Sequence, residues 1–216
     1  ANHPNYGWAI RPHEIADTPG LRFFEVFNGH PGVHNRGDAT HPSTDKMWDL
    51  ALARRFEKGN KEPLYGLAVD DSHKYHSPRG VGAQPGRGWV MVRNRKRSEH
   101  LLPDTLIRAL ERGDFYSSSG VTLTDVRWNG RRLSLTIEPK PETEYTTRFI
   151  GTRHGAGPSE IGVVLAEVTG TAPSYTVSGD ERYVRAKVIS SRVRPDILQG
   201  KRHESAWTQP IFLKPR

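Results

Sequence analysis

The residues best suited to chemistry lie in the run Val69-Asp70-Asp71-Ser72-His73, which follows the apolar stretch Leu64-Tyr65-Gly66-Leu67-Ala68. An apolar run of this length predicts a buried strand. Asp71 and His73 then fall just beyond its carboxyl end, the edge where α/β folds set their ligands. A carboxylate and an imidazole two residues apart on an irregular turn can face one cation, so the pair is a candidate metal site. The competing reading is a loop-opening turn in which Asp71 caps the backbone and His73 is solvated.

Further candidates cluster nearby. His3 stands before Pro4, which biases its backbone to an extended form suited to presenting a ligand. Its terminal position argues instead for disorder. The run Glu25-Val26-Phe27-Asn28-Gly29-His30-Pro31 reads as a strand ending in polar groups and a turn. Asn28 and His30 could there contact substrate oxygens, or Asn28 could only shape the turn. Lys74 and His76 follow the Asp71–His73 pair and are candidates to line the same cleft. Lys74, Arg79 and Arg87 are candidates to hold the anionic part of a substrate. His41-Pro42-Ser43 reads as a helix start rather than a site. Among other chemistries, the chain has no Gly-x-Ser-x-Gly elbow, no phosphate loop ending in Lys-Ser/Thr and no His-Glu-x-x-His.

The chain of 216 residues contains no cysteine. Disulfides and thiolate metal sites are thus excluded, leaving His, Asp and Glu as strong ligands. Such donors suit zinc, manganese or iron. The lack of cysteine is compatible with export, and an exported or periplasmic location is favoured over a cytoplasmic one. No signal peptide is evident, and an opening at Ala1 without an initiator Met suits a processed or truncated piece of something longer. No apolar run is long enough to span a bilayer.

The formal charge is +8, with 17 basic and 14 acidic residues up to Gly120 and 15 and 10 after it. The excess is therefore spread out. Its densest run, Arg93-Asn94-Arg95-Lys96-Arg97, has no interleaved aromatic residue and reads as a solvated loop, so nucleic acid is not an expected partner. A mild positive field favours small anionic or ester substrates.

The elements that must position these groups change character near Gly120. Before it, strands are predicted at 22–27, 64–69 and 89–92. Helices are predicted over 44–58, capped by Ser43 with Met47, Leu50, Ala51 and Arg54 on one face, and from Pro103 to Gly113. This alternation predicts part of a parallel α/β fold. After Gly120 the period is two, beginning with a hairpin about Asn129-Gly130. Further strands are predicted at 145–150, 161–168, 173–177, 182–189 and 207–213. The expected organisation is therefore an α/β portion over 1–120 and an accessory antiparallel β domain over 121–216.

In order, the runs at His3, at Phe24–Pro31, at Gly66–His73, at Gly88–Val92, at Ala109–Gly120 and at Ala206–Ile211 resemble the carboxyl-terminal half of a PHP (polymerase and histidinol phosphatase) domain. The subgroup is similar to carbaryl-hydrolase-like metallohydrolases. The resemblance implies part of a distorted (β/α)7 TIM-like barrel with two or three divalent metal ions at the carboxyl edge of its strands. It implies hydrolysis of phosphate or related esters, with His3, Asp71 and His73 among the metal ligands. The His-x-His motif that opens such domains is missing from this chain. Without the first-half ligands, the fragment is expected to be inactive alone and to hold metal weakly. The alternative from another class is a non-catalytic module binding polysaccharide or a protein on a degenerate barrel scaffold.

Overall fold

A computed structural model describes residues 1–60, 62–78, 82–94, 102–196 and 200–213, with the side chains of 195 and 196 excepted. Chain order runs α1 (Pro12–Asp17), β1 (Phe23–Asn28), α2 (Thr44–Glu57), β2 (Tyr65–Val69), β3 (Trp89–Val92), α3 (Pro103–Glu111) and β4 (Phe115–Ser118). The hairpin strands β5 (Leu123–Trp128) and β6 (Arg132–Ile137) follow, then β7 (Tyr145–Arg153), β8 (Val163–Thr169) and β9 (Ser174–Thr176). The last three strands are β10 (Glu181–Asp196), β11 (Gly200–Thr208) and β12 (Ile211–Phe212).

The expected TIM-like barrel is not the fold. Among the described residues, only β1 and β2 pair in parallel, as a two-stranded sheet. β3 instead pairs antiparallel with β4, and β4 with β11, so both join a seven-stranded sheet ordered β3-β4-β11-β10-β7-β8, with β12 beside β10. The physical reason lies on the far edge of β2. There the Gly66 N–H donates to Gln209 Oε1 (2.9 Å), and Gly66 O accepts from Gln209 Nε2 (3.0 Å) and Ser117 Oγ (2.8 Å). The Ala68 N–H donates to Ser117 Oγ (3.0 Å). Two side chains thus satisfy the backbone groups a third parallel strand would have used, and the parallel ladder stops at two.

Residues 115–118, read from sequence as part of a turn, form β4 because they lie between β3 and β11. The seven-stranded sheet therefore draws strands from both sides of Gly120. The third sheet, β5-β6-β9, contains the predicted Asn129-Gly130 hairpin; Asn129 Oδ1 accepts from the N–H groups of Arg131 (3.0 Å) and Arg132 (2.8 Å).

Ser43 caps α2 as predicted, its hydroxyl accepting from the Lys46 N–H at 3.2 Å. The buried face differs, since Leu50 and Arg54 are only half-buried while Met47, Trp48, Ala51 and Leu52 are at 0–1 % exposure. The reason is that α2 is covered on two sides. One side packs on Phe24, Val26, Phe27 and Ala68 of the parallel pair, in a core that also takes Tyr183 and Trp207 from β10 and β11. The other side turns Asp45 and Asp49 toward β10, where Arg185 bonds Asp49 Oδ2 at 2.7 Å and Lys187 bonds Asp45 Oδ2 at 2.5 Å. A helix spacing of four meets a strand spacing of two, so both pairs line up. No described helix is long and apolar enough to cross a membrane.

Candidate functional site

The carboxyl ends of β1 and β2 lie side by side, with Asn28 opposite Val69 in the parallel register. The amino-terminal segment runs against β1: the terminal ammonium donates to Phe23 O (2.7 Å), and the Glu25 N–H donates to Ala1 O (3.0 Å). These contacts carry His3 to the end of the strand, where its backbone N–H donates to Glu25 Oε2 at 2.5 Å. Asn28 Nδ2 donates to the same carboxylate oxygen (2.8 Å) and to Asp71 Oδ2 (3.2 Å). Asp71 Oδ1 is 3.1 Å from His73 Nε2.

Aromatic edges close the circuit. The His73 and His30 ring centroids are 5.8 Å apart, His30 and Tyr6 5.9 Å, and Tyr6 and His3 5.5 Å, each pair edge to face. All seven members of this ring are of residue types that can ligate metal or bond oxygen. Backbone strain is concentrated in it as well. His3 and Asp71 both have positive φ (27° and 48°), a region that non-glycine residues rarely enter.

Each group is held from behind. The His30 N–H donates to Asn28 Oδ1 (2.7 Å), and His30 Nδ1 accepts from the Gly32 N–H (3.0 Å). An imidazole accepting at Nδ1 keeps its proton on Nε2, so neutral His30 presents an N–H outward. Asn35, unremarked in the sequence, brackets Asn28 by accepting its N–H (2.9 Å) and donating to its carbonyl (2.8 Å). Asp70 faces a different way: its carboxylate accepts the N–H groups of Gly86, Arg87 and Gly88 at 2.7–3.0 Å and pins that loop to the site. Arg87 Nη1 then reaches Gly29 O at 3.0 Å. A side chain at Gly29 would meet the Arg87 Cβ at 2.6 Å, so this close approach requires glycine.

Of the predicted site residues, His3, Asn28, His30, Asp71 and His73 therefore come together. Lys74 and His76 are exposed and take no part in the contacts that link the ring. Arg79 and residues 95–97 of the basic run lie outside the described residues. His41 stacks on Trp8 (4.1 Å between centroids), away from the ring. Glu25 was given no site role from the sequence, although the residue is only 9 % exposed and its carboxylate links His3 to Asn28 in the circuit. Its signal was present as a lone acid within Phe23-Phe24-Glu25-Val26-Phe27, since a buried charge on an apolar strand needs a purpose.

Glu25 and Asp71 share one amide group, and among the described residues no lysine or arginine forms an ion pair with either. Glu25 already interacts electrostatically with the Ala1 ammonium, and the second carboxylate, Asp71, adds to the attraction for a cation. Among the described residues, no three His, Asp or Glu side chains converge on one point as they stand. The donors fit a divalent ion in kind, with Asp71 and His73 the pair already in contact. Comparison with protein-family models, curated proteins and solved structures finds no match to this chain.

Proposed function

We propose that the ring at the carboxyl ends of β1 and β2 is part of the metal site of an ester hydrolase, acting on phosphate or related esters. The observation that carries this reading is the pair of carboxylates, Glu25 and Asp71, linked by Asn28, with the His73 ring against Asp71 and, among the described residues, no lysine or arginine ion-paired to either. The order of motifs that resembles a PHP-type hydrolase supports it. The barrel expected from that resemblance is not needed, because the two parallel strands and the amino-terminal segment along β1 bring the groups together.

Asp71 and His73 would hold the ion, with His3 completing the set. Carboxylate and imidazole donors together suit zinc, manganese or iron, and a complete site of the kind implied holds two or three ions. A divalent ion supplies Lewis acidity, drawing charge from a phosphoryl or carbonyl oxygen. The chain's own groups orient the reactants: Asn28 fixes both carboxylates, and His30 offers its Nε2 proton to a substrate oxygen. Arg87, held at the rim by Asp70, adds positive charge for an anionic ester.

Titration calorimetry with Zn²⁺ and with Mn²⁺ tests the reading. Weak binding to the chain should be abolished by Asp71→Ala and by His73→Ala and retained by His41→Ala. Equal binding by all four proteins, or none by the parent chain, would remove the metal site and leave a non-catalytic binding module.

A further inference from the structure

Asn-Gly occurs twice in the chain, at Asn28-Gly29 and at Asn129-Gly130. Glycine has no Cβ to shield its backbone nitrogen, so that nitrogen can close on the preceding side-chain amide wherever the fold leaves it free. The two pairs stand in opposite surroundings. Asn28 is 1 % exposed, and its Nδ2 is held by Glu25 and Asp71. The Gly29 N–H donates to Val69 O at 2.8 Å, which commits that nitrogen to the neighbouring strand. Asn129, Gly130, Arg131 and Arg132 are instead all exposed at the tip of the β5–β6 hairpin. Among the described residues, no hydrogen bond holds the Gly130 N–H.

We propose that Asn129 is a site of spontaneous deamidation. The Gly130 nitrogen bonds to Asn129 Cγ and loses its proton to solvent, while the side-chain nitrogen takes up a proton and leaves as ammonia. Water then opens the cyclic imide at either carbonyl, giving aspartate or isoaspartate. The turn itself assists the first step. Asn129 Oδ1 already accepts from the N–H groups of Arg131 (3.0 Å) and Arg132 (2.8 Å), and negative charge gathers on that oxygen as the nitrogen attacks. Two backbone donors so placed stabilise an oxyanion. Asn28 Oδ1 has one comparable donor, the His30 N–H at 2.7 Å, but its glycine nitrogen is committed and its side chain is shut off from solvent. Isoaspartate routes the main chain through the side-chain carbon. It thereby lengthens the turn that sets the Asn129 N–H against Arg132 O (3.4 Å) and β5 against β6. That hairpin walls a cleft of about 710 Å³ opposite β3 and β4, so conversion loosens one side of it. The inference is independent of the metal ring and stands if that site fails.

Ageing the folded protein in mildly alkaline buffer, then digesting it with trypsin for mass spectrometry, provides the test. Cleavage after Arg127 and Arg131 isolates Asn129, and cleavage after Arg22 and Arg36 isolates Asn28. Relative to unaged protein, the peptide 128–131 should gain a single mass unit and divide into two isomers, while the peptide 23–36 stays unchanged. Ageing in urea should let both convert, because the fold rather than the sequence spares Asn28. The aged folded protein should also melt at a lower temperature than the variant Asn129→Asp, which carries the same charge without the longer backbone. Conversion of Asn129 only in urea overturns the inference. So does conversion of Asn28 as fast as Asn129 in the folded protein. Equal melting of the aged protein and Asn129→Asp overturns the loosening of the hairpin.

Discussion

Asp49 on α2 and Asp71 beyond β2 are both carboxylates at the border of the first core, yet their surroundings oppose each other. Asp49 is 2 % exposed and fully engaged, accepting from Arg185 Nε (2.9 Å) and Nη2 (2.7 Å) and from the Tyr183 hydroxyl (2.7 Å). Thr152 donates to that hydroxyl, and the Gly162 N–H donates to Thr152. A side chain at Gly162 would meet Asp49 at 2.4 Å, and its φ of 61° also demands glycine. Asp71 has one shared amide, one exposed histidine and a strained backbone. A completed network locks α2 onto β10, whereas an incomplete one keeps capacity for a ligand. Identical residue types therefore differ according to whether their partners are already inside the chain: Asp49 serves stability, and Asp71 is the one proposed to serve a ligand.

Charge states follow the same division. Burial opposes charge on Arg185, but Asp49 and Asp45 outweigh it and raise its pKa further. Burial likewise opposes charge on Asp45, and Lys187 and Arg185 outweigh it, so its pKa is lowered. Burial and Asp49 push the Tyr183 hydroxyl well above its ordinary value.

The sharpest way to break the comparison is Asp49→Ala. It removes the nearer of the two acids that hold a buried guanidinium, leaving only the longer contact to Asp45 (3.4 Å), and should cost about 3–5 kcal/mol in urea unfolding. If Asp49→Ala costs no more than a surface change, the network is not the lock described. Replacing Asp49 and Arg185 together by Leu and Met should restore most of the loss, because a buried pair can be exchanged for apolar packing.

A smaller effect is expected at the junction of the two sheets. Ser117→Ala leaves a buried backbone N–H and carbonyl of β2 short of a partner, for about 1–3 kcal/mol. Smaller again is the acid response of Glu181, whose carboxyl burial pushes up but Tyr175, Ser178 and Gly179 together hold down at about 2. Its folded pKa lies below the ordinary 4.5, so its contribution is complete above 4.5 and fades as pH falls from there to about 2. Glu181→Gln should therefore flatten the acid side of a melting-temperature profile.

The least effect on stability belongs to the ring. Asp71→Asn keeps a residue tolerant of positive φ and should change unfolding by no more than about 0.5 kcal/mol. Metal binding in the same variant should nonetheless fall sharply. A large stability loss there would make Asp71 a structural residue and erase the contrast with Asp49.

Much of the ring was legible in sequence because its signals are local. Asp71 and His73 are two residues apart, and Asn28 and His30 follow an apolar strand. Glu25 was missed because its role depends on His3 and Asp71, 22 and 46 positions away. The Asp49–Arg185 lock was hidden for the same reason, although Asp45/Asp49 at helix spacing and Arg185/Lys187 at strand spacing were each visible.

Local propensity and periodicity determined most strand and helix positions, the Ser43 cap and the Asn129-Gly130 hairpin, since neighbours in the chain set those. Strand pairing was decided only by the tertiary structure. The alternation of strands and helices suggested part of a parallel α/β fold, but Ser117 and Gln209 reach across 51 and 143 residues to satisfy Gly66 and end the parallel ladder. A strand's edge bonds to whatever the fold brings beside it, and no local pattern specifies that partner.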